Sequence, residues 1–99
     1  MEGSGSEYKY TRRISKFNQM TITLKYFGLL ADITQLKEEQ FTVEQETISV
    51  STLKSKIETQ YQTMQNTTYT IAVNQAMSGL QTTVKDQDVI AFLPPFAGG

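Results

Sequence analysis

The chain has 99 residues, nine Lys and Arg against ten Asp and Glu, and no His, Cys or Trp. That length allows one small domain with a modest core. Lacking His and Cys, it has no disulfide framework, no thiol or His-paired nucleophile and no ordinary zinc site. No two carboxylates are spaced as a facing catalytic pair, so the composition points to a binding subunit or a protein acted upon. No apolar run approaches the roughly 20 residues of a membrane span, and no signal-peptide pattern opens the chain. A cytoplasmic protein that binds neither membrane nor metal is the expectation.

Residues 1–19 carry Lys9, Arg12, Arg13 and Lys16 against Glu2 and Glu7, whereas residues 20–99 carry five Lys against eight Asp and Glu. The acidic body lacks the basic face that nucleic-acid binding requires. Met1–Ser6 has linker composition, and residues 1–19 read as a disordered or vector-derived extension, with Met20 as an alternative start. The fold is read from residues 20–99.

Residues 21–27 alternate cleanly, with Ile22, Leu24 and Tyr26 on one face and Thr21, Thr23 and Lys25 on the other. Phe27 breaks the rule by being large and apolar on the polar parity. Residues 28–33 read as a short helix or turn. Residues 39–44 alternate again, with Phe41 and Val43 inward, and pair with the first strand as an antiparallel hairpin. Ser49 or Ser51 caps a helix whose buried stripe is Val50, Leu53, Ile57, Tyr61 and Met64. Residues 66–68 end it. A strand over 69–73, a turn at Asn74-Gln75, a short extended piece over 80–84, a turn over 85–88 and a last strand over 89–93 follow. Ile90 and Phe92 of the last strand point inward. Strands with one main helix on one face make a two-layer α+β domain.

The chain ends Pro94-Pro95-Phe96-Ala97-Gly98-Gly99. Two prolines fix φ and favour an extended course; two glycines give a thread without Cβ atoms. Six extended residues reach roughly 20 Å, enough to carry a terminal carboxylate into another protein's pocket.

Ala72-Val73-Asn74-Gln75, Val84-Lys85-Asp86-Gln87-Asp88, the Ala91-to-Pro95 run with its Gly98-Gly99 ending, and the opening Leu24-to-Gly28 run together resemble the small subunit of molybdopterin synthase. The resemblance covers residues 20–99. It implies a ubiquitin-like β-grasp fold, with the first and last strands adjacent and parallel. It also implies a sulfur carrier. The Gly99 carboxylate is adenylated by a ubiquitin-activating-like, ATP-using adenylyltransferase and converted by a sulfur donor to a thiocarboxylate. That sulfur goes to a pterin precursor within a large subunit, in a heterotetramer of two small and two large chains. No cofactor stays bound to the carrier itself. Gly99 is then the reactive site and Gly98 gives access to it. Phe27, Met77 and Leu93, apolar groups outside the core parity, form a docking patch beside the tail. Pro94, Pro95, Phe96 and Ala97 complete the partner contact. The family's Asp-Gly-Asp turn reads Asp86-Gln87-Asp88 here, which leaves the turn type open, since Gly adopts positive φ cheaply and Gln does not. Sulfur carriers for thiamine or tRNA thiolation, a protein modifier joined through Gly99, and a binding domain whose tail is never activated are the alternatives.

Overall fold

The computed structural model describes residues 19–95. Strand β1 (Met20–Tyr26) leads through a six-residue helix α1 (Leu29–Thr34) to β2 (Glu38–Val43). A three-residue strand β3 (Thr47–Ser49) precedes the main helix α2 (Val50–Gln60) and a 3-10 turn (Gln62–Asn66). Strands β4 (Thr70–Val73), β5 (Ala76–Met77), β6 (Thr83–Lys85) and β7 (Val89–Leu93) complete it. The main sheet runs β2-β1-β7-β4-β5, and β3 pairs with β6 in a small second sheet. β1 and β7 are parallel and the other pairs are antiparallel. This is the β-grasp arrangement expected from the sequence.

The period-two pattern of β1 becomes the core: Met20, Ile22, Leu24 and Tyr26 are buried together with Ile90 and Phe92 of β7. Val50, Leu53 and Ile57 of α2 cover them from one side. Burying each such side chain is worth about 1.5–3 kcal/mol. Ser49 is the N-cap, its Oγ accepting from the Thr52 N–H at 3.1 Å. The next two helical N–H groups, of Val50 and Ser51, donate to the carbonyls of Thr82 and Leu80, so the loop before β6 closes the helix start.

The helix is shorter than its apolar stripe. It ends at Gln60, Tyr61 leaves helical geometry (φ −121°, ψ 82°), and Met64 reaches the core from the 3-10 turn. Weak helix formers follow, Thr63, Asn66, Thr67 and Thr68. The extended piece expected over 80–84 lies later, over Thr83–Lys85, and Leu80 sits exposed in the loop before it. β3 and β5 are too short for alternation to reveal.

Two turns lock the sheet. Asn74 (φ 51°) and Gln75 (φ 71°) are both left-handed, the primed-turn geometry that joins twisted strands tightly. In the turn before β7, Asp86 Oδ1 accepts the Thr21 N–H at 2.8 Å, and the Gln87 N–H donates to the Thr21 carbonyl at 2.9 Å. Asp88 is buried. Its carboxylate accepts from the Lys85 N–H and from Asn74 Nδ2, both at 2.9 Å, while Asn74 Oδ1 accepts the Val89 N–H. The two aspartates thus fasten this turn to β1 and to the β4–β5 turn.

Gln87 has φ 71°. The turn keeps its left-handed residue although Gln stands where glycine would adopt it without strain. A left-handed non-glycine costs about 1–2 kcal/mol. Gln87→Gly is therefore expected to raise the urea unfolding free energy by about 1 kcal/mol once the extra chain entropy of glycine is subtracted; an unchanged or lower midpoint contradicts the strain.

Candidate functional site

Strand register assembles the helix-free face of the sheet. Lys25 lies opposite Glu38 on one side and Ala91 on the other, and the row continues through Ala72 to Met77. One position further, the Phe27 N–H donates to the Phe92 carbonyl at 3.1 Å, carrying the parallel pairing past the end of β1. Leu93 is opposite Thr70. Phe27, Leu93 and Met77 thus share the outer parity, as do Ala91 and Ala72. Phe27 is 45% exposed and Met77 67%, whereas Leu93 is half-buried. Phe27 and Leu93 end adjacent strands; Met77 stands apart on the far edge strand.

The root of the tail lies beside Phe27. Pro94 is half-buried and Pro95 exposed. A Cβ placed on Gly28 would come within 3.0 Å of Pro94 Cγ, so the proline ring touches the glycine that opens α1. Phe96, Ala97, Gly98 and Gly99 lie outside the described residues. A shallow cleft of about 380 Å³ borders the same corner, lined by Lys25, Tyr26, Phe27, Gly28, Ala31, Lys37 and Glu38.

Beneath this corner lies an aromatic layer. Tyr26 packs on Phe92 with ring centroids 5.3 Å apart and meets Tyr61 edge-on at 6.0 Å. Glu39, on the inward parity of the edge strand β2, accepts from both phenols, Tyr26 at 2.6 Å and Tyr61 at 3.0 Å. Burial pushes both phenols above their ordinary value, and the bond to Glu39 adds to it. Tyr69 is raised likewise by burial and by its 2.7 Å bond to Glu58. Glu58 is partly desolvated, which raises its pKa, but hydrogen bonds from Lys54 and Tyr69 outweigh this and lower it. These groups are structural: each phenol is held neutral and donates to a carboxylate.

Among the described residues no cluster of Asp and Glu has the arrangement of a metal site, and no helix is long and apolar enough to cross a membrane. The chemistry this surface offers is recognition at an apolar strip, next to Pro94 and Pro95.

The ThiS family model matches residues 24–99. The chain belongs to the ThiS family of ubiquitin-like sulfur carriers. Among solved structures it is similar to a chain of the complex of subunits 1 and 2 of molybdopterin-converting factor from Helicobacter pylori. Identity there is 30%, over 81% of this chain and 100% of that one, with a TM-score of 0.55. Two further likenesses bear on the fold. A Pyrococcus furiosus protein assigned as subunit 1 of molybdopterin converting factor is 22% identical, over 77% of this chain and 98% of that one (TM-score 0.71). Small archaeal modifier protein 1 of Haloferax volcanii is 14% identical over the same shares (TM-score 0.68). No curated protein sequence matches.

Sequence reasoning reached Phe27 and Leu93 through their parity and Met77 through its place after a turn. It missed Gly28, whose contact with Pro94 depends on parallel pairing between the two ends of the domain, and it missed exposed Leu29, Leu36 and Leu80.

Two outcomes follow from this surface and the layer below it. Leu93→Glu places a charge on the outer face of the sheet, away from the parity of Phe92; it is expected to weaken partner binding at least tenfold by calorimetry while shifting Tm by less than about 2 °C. Stability is expected to hold steady as pH rises toward the ordinary tyrosine value of about 10. The folded phenols titrate higher than unfolded ones, so their stabilising contribution is complete below that value and is lost as pH climbs beyond it. Tyr69→Phe should make the alkaline fall in urea midpoint shallower; an equally steep fall assigns it to other groups.

Proposed function

We propose that this ThiS-family chain is the sulfur-carrying small subunit of a molybdopterin synthase, with residues 20–99 as the carrier domain and residues 1–19 as an extension to it. The observation that carries the reading is the parallel pairing of β1 with β7, which puts the root of a Gly-Gly-ended tail against an apolar, helix-free sheet face. The Helicobacter pylori likeness supports a large-subunit partner for that face. Phe27, Leu93 and Met77 make the docking contact. Pro94 to Ala97 pass through the partner's entrance, and Gly98 and Gly99 reach its active site.

The chemistry is acyl activation followed by sulfur substitution. A carboxylate is a poor electrophile at neutral pH. Attack of a Gly99 carboxylate oxygen on the α-phosphorus of ATP expels pyrophosphate and leaves an acyl-adenylate. A sulfide-level sulfur donor then attacks the acyl carbon, the acyl–oxygen bond breaks, AMP departs, and the thiocarboxylate remains. This sulfur attacks an electrophilic carbon of the pterin precursor in the large subunit and displaces an oxygen substituent, which leaves with a proton. Water then adds to the acyl carbon and the carbonyl–sulfur bond breaks, so the sulfur stays on the pterin and Gly99 returns to a carboxylate. The adenylating enzyme holds the nucleotide; the carrier supplies only the chain end. The cycle runs in the cytoplasm.

Incubating the full chain with a family adenylating enzyme, ATP and sulfide, followed by intact-mass measurement, tests the reading. The expected product is one oxygen-to-sulfur exchange, abolished by deletion of Gly99 and reduced at least tenfold by Gly98→Ala. Ladders of lysine conjugates in a host extract would favour the protein modifier instead. Thiocarboxylate that sustains thiamine or tRNA thiolation, but not the pterin reaction with the large subunit, would assign the sulfur elsewhere.

A further inference from the structure

Gly28 is the N-terminal boundary of α1, with φ 56° and ψ −129°. Only glycine adopts that conformation without strain. It has a second feature that the turn does not require. The space where its Cβ would lie is occupied by Pro94, Cγ at 3.0 Å, Cδ at 3.8 Å and Cβ at 3.9 Å. All three ring carbons face the vacant position, so the missing side chain forms a notch and the ring fills it.

The neighbours of the notch are fixed. Phe27 N–H is bonded to Phe92, and the carbonyls of Phe27 and Gly28 accept from Leu30 and Ala31 in the first turn of α1. On the other side, β7 holds Leu93 opposite Thr70. Two anchored segments therefore meet at one contact, just ahead of the chain's last residues. Pro94 has its own φ locked, so the place of its ring determines the direction of the peptide that follows.

We propose that Gly28 is a positioning residue for the tail: its empty Cβ position seats the Pro94 ring, and that seat sets the direction in which the chain continues from Pro94. This rests on the proposed function, in which Gly99 must enter an active site while Phe27, Leu93 and Met77 engage the same partner. Small misplacements of a reacting group cost large factors in rate. An L-alanine at position 28 fills the notch and displaces the Pro94 ring, while Leu93 and Met77 stay held by their strands. Its effect should fall on kcat for adenylation and not on KM for the carrier.

The test is a double-mutant cycle on the full chain, with Gly28→Ala, Pro94→Ala and the pair, read by pyrophosphate exchange with a family adenylating enzyme. Gly28→Ala is expected to lower kcat at least tenfold with KM changed less than threefold. In the Pro94→Ala background, where the ring carbons that would collide are gone, the same substitution should lower kcat less than threefold. Backbone strain alone would lower Tm and give the same kcat ratio in both backgrounds, which would overturn the proposal. A second readout does not depend on activation. In the wild-type chain, a nuclear Overhauser contact between Gly28 Hα and the Pro94 ring protons should be present in solution and lost in Gly28→Ala; its absence from the wild type overturns the seat. A wild-type chain that shows this contact but is never adenylated counts against the proposed function and leaves the seat standing.

Discussion

Parallel pairing between the first and last strands is the constraint on which the rest depends. Residues 23–26 of β1 lie beside residues 89–92 of β7, so both strands end at the same edge of the domain. One chain continues into Phe27, Gly28 and α1; the other continues into Leu93, Pro94 and the tail. Parallel neighbours need a long crossover, and here everything from α1 to the turn before β7 serves as that crossover. An antiparallel arrangement of the same two strands would send the tail off at the opposite edge, away from Phe27. The geometry that makes the chain end useful is thus a property of topology, not of the tail.

That constraint is secured at the far end of the strands by polar chemistry. Asp88 is buried and its carboxylate is satisfied by the Lys85 N–H and the Asn74 amide. Its backbone carbonyl also accepts the Thr23 N–H. A buried carboxylate without such donors would be costly. With them, it ties the β4–β5 turn, the β7 turn and the start of β1 into one unit, and β7 begins in register. At the other end the sheet is closed by apolar contact, Tyr26 on Phe92 and Phe92 on Tyr69. Directional bonds set the register, and aromatic burial supplies the cohesion.

This division explains what could be read from the chain alone. Alternation over Thr21–Tyr26 and the stripe Val50, Leu53 and Ile57 reports local burial, so β1 and α2 were legible, as was the turn at Asn74-Gln75. The outer positions of Phe27 and Leu93 followed from the same parity. Alternation put Glu39 on the parity of Phe41 and Val43, but the reason a carboxylate stands there was not legible, because it depends on two phenols that reach it from β1 and from the end of α2. The end of α2 at Gln60 was hidden for a related reason: Tyr61 and Met64 continue the apolar spacing although the backbone has already left the helix. Gly28 carries no pattern at all; its role exists only where Pro94 arrives.

In the proposed chemistry the loaded and unloaded chains differ by one atom at Gly99 and carry the same charge there. The folded body is identical in both. A partner that contacts only Phe27, Leu93 and Met77 would bind the two forms equally, and equal binding cannot drive exchange between an enzyme that loads sulfur and one that removes it. Discrimination must therefore arise at the tip of the tail, within the partner's pocket, while the sheet face supplies affinity common to both encounters. A small apolar strip broken by Lys25 and Glu38 suits that division, since a larger patch would hold the carrier on whichever partner it met first. Under the proposed function, the course of the chain beyond Pro94 then matters more than the strength of docking, because only the tip would report whether sulfur is present.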